Sequence, residues 1–235
     1  MLNSANKNNN SETLDSLVRE LKRSLVLIAR QAELNKSHLE EKSLESIQEN
    51  AEKTLRLIDS YLLMAQSEYG QRLLPVEPLS VGSVIYSVAE EIRPVARKAD
   101  IDIVLNINDA LVMANPKGLR AAVLCLSDMV LTQTSIERDG RVVEINTKRS
   151  SGDIKISVLS QSMKVKNSDL RKALEGLGRT HMAFSSSSSE SGVRLAIASL
   201  LGESLGTRLK AVRSNNTQGI GFNLALSRQL QLGIG

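Results

Sequence analysis

Hydrophobic residues recur along the first third of this chain with the period of a helix packed against other helices. Leu14, Val18, Leu21, Leu25, Ile28 and Ala32 follow one another at alternating spacings of four and three, the 3.5-residue repeat that keeps one seam facing a partner. Beyond the polar break "NKSHLEEK", Leu44, Ile47, Ala51, Thr54, Ile58, Tyr61 and Ala65 keep the same repeat, and Leu55 and Leu62 widen the stripe. Two antiparallel helices cannot bury so wide a stripe alone. The pattern predicts a helical hairpin that pairs with a second copy in a four-helix bundle. A homodimer is therefore expected, with Leu14, Val18, Leu21, Leu25, Ile28, Ile47 and Ile58 on its seam.

The Asn-rich start reads as a disordered tail over 1–11, ahead of a hairpin over 12–70. "GQRLLPVEPLS", with one glycine and two prolines, closes the hairpin and implies a linker over 71–79. The pattern then changes over 80–235. It predicts a helix from about Val81 to Ala99, strands "IDIVLNI" and "LVMA", and a helix "PKGLRAAVLCLSDMVLTQT" with Pro116 in its first turn. Strands "RVVEINTK" and "DIKISVLS" meet across "RSSG" as a hairpin. A polar irregular stretch ending in the serine run Ser185 to Ser189 reads as a mobile loop. The helix "GVRLAIASLLGESLG" and the strands "TRLKAVRS" and "GIGFNLALS" complete the chain. The class is α+β: a helical hairpin followed by an α/β sandwich with helices on one face of a sheet.

Composition narrows the functions. Apolar residues make up 41% of the 235 positions, enough for a core, but aromatics only 2% with no Trp, so Leu, Ile, Val and Ala must build it. The formal charge of +4 is spread along the chain without a basic block, which argues against nucleic acid as a partner. The single cysteine, Cys125, excludes an internal disulfide and a multi-cysteine metal site, and its apolar surroundings suit a buried, inert thiol. No apolar run was expected to reach the roughly 18 residues of a membrane span, and the polar start is unlike a signal peptide, so a cytoplasmic location is expected.

Three stretches carry a family resemblance. "RELKRSL" aligns with "HELRTPL", "NPKGLRAAVLCLSDMVLTQT" with "DPxRLxQVLxNLLxNAIKYT", and "SGVRLAIASLLGESLG…TQGIGFNLAL" with a "GLGLAI" helix and "GTxFxLxL" last strand. In this order the chain resembles the cytoplasmic core of a sensor histidine kinase, a dimerising hairpin followed by a GHKL (Bergerat-type) ATP-binding sandwich. The resemblance puts Arg19 where the family has its phosphoacceptor histidine, with Glu20 beside it. It puts Cys125 and Met129 at the two asparagines, the second of which holds Mg²⁺. It puts Ser160, Ser162 and Lys164 at the aspartate and glycines of "DxGxG". Gly192 keeps the first glycine of "GLGL" and Arg194 replaces the second. A guanidinium is no phosphoryl nucleophile, and thiol and thioether are poor ligands for a hard cation. The resemblance thus implies a retained fold without its reaction: no cofactor, no enzyme activity, and a regulator that binds other signalling proteins. Arg194 is expected to be a solvated arginine more often than an anion contact.

In the family the outward face of the first helix docks a response-regulator receiver domain, and Arg19, Arg23, Val26, Leu27 and Arg30 occupy it here. The bland reading is a solvated helix face. His38 and His181 read as surface histidines. Two other functions stay open: phosphate relay through a histidine outside the family position, and a divergent nucleotide or ligand site using Gly192, Gly219 and Gly221, the last two of which suit the final hairpin equally well.

Overall fold

The computed structural model describes residues 21–22, 25–30, 41–68, 75–136, 141–175 and 189–227. Residues 21–22 and 25–30 are helical and form α1. The second hairpin helix, α2 (Glu41–Glu68), is followed by β1 (Glu77–Ser80), α3 (Val81–Lys98), β2 (Asp102–Asn106), β3 (Leu111–Ala114) and α4 (Pro116–Ile136). Then come β4 (Val142–Arg149), β5 (Asp153–Ser160), α5 (Asn167–Glu175), α6 (Ser189–Ser204), β6 (Lys210–Ser214) and β7 (Thr217–Ala225).

Five strands form one sheet in the order β2-β4-β5-β7-β6, while β1 and β3 pair separately. β2 and β4 run parallel, and every other pair is antiparallel. A parallel pair needs a crossover, and α4 supplies it, lying against β4 and β5. On the covered face Ile145, Ile156 and Phe222 meet buried residues of the helical layer such as Ile85, Leu126 and Leu195 in one core. α6 packs beside α4, and α2 packs on both.

Local chemistry sets where α3 and α4 start. Ser80 caps α3, its Oγ accepting from Ser83 N at 3.0 Å. Asp109 reinforces that cap by accepting from Gly82 N at 2.8 Å and from the Ser80 hydroxyl. Asn115 caps α4 in the same way, accepting from Gly118 N at 2.7 Å, with Pro116 as the first helical residue, a position where its missing N–H costs nothing. The β6–β7 turn places Asn215 at φ 47, a left-handed conformation that asparagine tolerates.

Three features differ from the sequence reading. β1 begins inside the segment taken as linker, with three of its four residues within 71–79. The stretch after β5, taken as irregular, carries α5, whose Asn167 Oδ1 accepts from Ala211 N at 2.8 Å and ties the helix to β6. Finally, α4 does have the length and mean hydropathy (1.2) of a membrane-crossing helix; 72% of that window is buried, so the apolar run serves the core. Of the serine run, Ser189 opens α6 and 185–188 lie outside the described residues.

Candidate functional site

The face of α4 that bears Cys125 and Asp128 is where hairpin and sandwich meet. Thr54, Leu57, Ser60 and Met64 of α2 recur at helical spacing and are all buried. Thr54 and Ser60 return their hydroxyls to Asn50 O and Arg56 O at 2.7 and 2.8 Å, so α2 presents a largely apolar surface with its polar groups internally bonded. The Ser60 hydroxyl also contacts Cys125. Burial pushes the Cys125 thiol up to about 11, against the opposing pull of the Arg194 guanidinium and the Ser60 hydroxyl. At neutral pH it is an inert thiol.

Arg194 is buried, 3% exposed, and its Nη1 donates to Asp128 Oδ2 at 2.8 Å, with Asp128 itself 6% exposed. This corrects the expectation of a solvated arginine. The side chain runs from α6 across to α4, where the Asp128 carboxylate offsets the cost of burying a cation that stands in the apolar run "GVRLAIASLL". Arg56 of α2 reaches the same carboxylate, its Nε 3.9 Å from Asp128 Oδ2 and 3.6 Å from Glu91 Oε1. Glu91 in turn pairs with Arg120 Nη2. Five charged groups from α2, α3, α4 and α6 thus form one cluster. A cavity of about 220 Å³ adjoins it, lined among others by Lys53, Lys98, Asp128, Thr132, Ser135 and Arg194.

Met129, one turn from Cys125, is buried in the core. Ser160 at the end of β5 is fully buried, and its Oγ lies 2.9 Å from Thr134 Oγ1 and 3.0 Å from Ser162 Oγ. Three hydroxyls therefore satisfy one another, leaving no carboxylate to accept a proton there. Lys164 is exposed. A Cβ built on Gly192 would meet nothing within 4 Å, so no close approach requires glycine at that point. Gly219 and Gly221 are different. A Cβ there would lie 2.0 Å from Val158 O and 2.3 Å from Ile156 O, so both serve the close approach of β7 to β5.

This fold has counterparts among solved structures. The chain is similar to the Acinetobacter baumannii histidine kinase AdeS, with a TM-score of 0.61 at 12% identity over 89% of this chain and 98% of that one. The fold is that of a histidine kinase core. A second similarity is to the histidine kinase ThkA in complex with the response regulator protein TrrA, TM-score 0.60 at 15% identity over 93% of this chain and 62% of that one. A third is to a mycobacterial sensor histidine kinase, MprB, TM-score 0.50 at 22% identity over 64% of this chain and 98% of that one. No protein-family model and no curated protein matches the sequence.

In this histidine-kinase-like fold Cys125, Met129, Ser160 and Arg194 gather around α4, and Ser162 joins them through Ser160. Gly192 sits two residues before Arg194 on α6. Arg19, Glu20 and Arg23, the seam positions Leu14 and Val18, and both histidines, His38 and His181, lie outside the described residues. Val26, Leu27 and Arg30 are exposed on α1. Leu21, Ile28, Ile47 and Ile58 are half-buried, whereas Leu25 is exposed. Sequence reasoning missed Arg56, Glu91, Arg120 and the buried face of α2. Asp128 within "VLCLSDMVL" and Arg194 within "GVRLAIASLL" are lone charges in apolar runs, a signal that could have pointed to the cluster.

Proposed function

We propose that this chain is a catalytically inactive, histidine-kinase-like regulator that acts in two-component-type signalling by binding proteins. The observation that supports the reading is that the side chains at the positions matched by resemblance to the family's nucleotide-binding residues are committed elsewhere. Cys125 and Met129 are core, Ser160 bonds to hydroxyls of its own chain, and Arg194 is held by Asp128. A nucleotide would have to displace these contacts without gaining a metal ligand or an adenine acceptor. Calorimetry with MgATP is expected to give no binding heat. A dissociation constant in the low micromolar range, about 8 kcal/mol of binding, would overturn the reading.

The working unit is a homodimer through the hairpin, with a sandwich attached to each copy. Supporting this, Leu44, Leu55 and Leu62 lie on one stripe of α2 and are exposed in a single copy, Leu55 by 58% and Leu62 by 51%. Replacing Leu55 and Leu62 together by Glu is expected to give a folded monomer, because neither side chain supports the fold of its own chain. Light scattering and circular dichroism check this; a monomeric parent chain, or a double variant that remains dimeric, refutes it. The partner is a response-regulator receiver domain at the exposed face of Val26, Leu27 and Arg30. ThkA, similar to this chain over both its parts, is seen with a response regulator, which supports that choice.

A further inference from the structure

We propose that the cluster Arg56–Glu91–Arg120–Asp128–Arg194 is a latch that holds α2 on the sandwich, so that the hairpin's own second helix is the standing occupant of the α4–α6 face. The argument starts from where the charges come from. Arg56 is the hairpin's contribution, and Glu91, Arg120, Asp128 and Arg194 belong to three helices of the sandwich. Arg194 and Asp128 alone would form a closed pair with no stake in the hairpin. The Arg56 guanidinium lies within 3.9 Å of Asp128 and 3.6 Å of Glu91, so the two carboxylates are shared between cations on either side of the junction.

Undocking α2 would remove Arg56 from both carboxylates and expose Leu57 and Met64, now 2% and 4% exposed, to water. It would also strip Cys125 of its Ser60 contact. Apolar contact supplies the attraction and the ion cluster favours one register, because Arg56, with its side chain 16% exposed, keeps charge partners only while it faces Glu91 and the buried Asp128–Arg194 pair. While the latch holds, the α4–α6 face is closed to other ligands and the chain presents hairpin and sandwich as one body. Any partner that needs that face must first displace α2.

Hydrogen exchange on the full-length chain tests this. Arg56→Met removes the hairpin cation, keeps an aliphatic stem for packing, and leaves Arg194 on Asp128. The expected result is a loss of protection of about tenfold or more in α2 amides between residues 54 and 64, with β5 and β7 amides unchanged, since local opening is read separately from global unfolding. Glu91→Gln, which acts from the sandwich side, should produce the same selective loss. Arg93→Met, which breaks only the exposed Arg93–Glu90 pair on α3, should produce none. Unchanged α2 protection in both cluster variants overturns the proposal. So does a loss shared equally by the sheet, which would make the cluster a contributor to global stability alone.

Discussion

Asp128→Ala is expected to destabilise the protein by about 3–5 kcal/mol, the cost of leaving a buried guanidinium without its carboxylate. Glu91 is shared by Arg56 and Arg120, and Arg194 Nη1 donates to Asp128 Oδ2 at 2.8 Å from a side chain 4% exposed. The diagnostic comparison is the double variant Asp128→Leu with Arg194→Met. Removing both charges and refilling the space with apolar groups should recover most of the loss, since a buried pair offsets its own desolvation and contributes little net stability. Urea unfolding of the two singles and the double forms the cycle, and strong non-additivity is the expected outcome. Additive losses would mean that the two side chains stabilise the fold independently.

Gly219→Ala should cost about 3 kcal/mol by overpacking, at the upper end for an added methyl because the atoms it strikes are backbone. The new Cβ would sit 2.0 Å from Val158 O and 2.9 Å from Leu159 Cα, and neither can rotate away as a side-chain tip could. β5 and β7 are adjacent in the middle of the sheet, with Leu159 paired to Gly219, so the displacement spreads along the whole register. For a chain of this size such a loss lowers Tm by roughly 6–12 °C. Gly152→Ala is the control, as nothing lies within 4 Å of its Cβ position. Differential scanning calorimetry of the pair distinguishes close approach within the sheet from a general intolerance of glycine replacement, since Gly152 lies in the turn between β4 and β5; equal midpoints for both variants would contradict the packing argument.

Much of the architecture was legible in the chain alone. Period-3.5 and period-2 patterns located α2, α3, α4 and six of the seven strands, because each pattern reflects which face of a regular element is buried. β1 escaped because "EPLS" is four residues long, contains a proline and has no buried position, so it carries no periodic signal. α5 escaped for a related reason: it is nine residues and mainly polar. The resemblance of the α4 and α6 stretches to kinase motifs also marked Cys125, Met129 and Arg194 as positions whose residue type differs from the family's.

What those replacements do instead was decided by tertiary contact. The sequence reading assigned the apolar stripe of α2 to a seam with a second copy, and the structure places Leu57 and Met64 in the core shared with the sandwich while leaving Leu55 and Leu62 outside. Asp128 and Arg194 are 66 positions apart, each a lone charge in an apolar run. The sequence reading took Arg194 as solvated and did not single out Asp128; once both are buried each needs a partner, because a buried charge without one is too costly to keep. Only the packing of α6 across α4, with α2 laid over both, decided that the two would meet each other and Arg56, since pairing depends on distance in space and not on position along the chain.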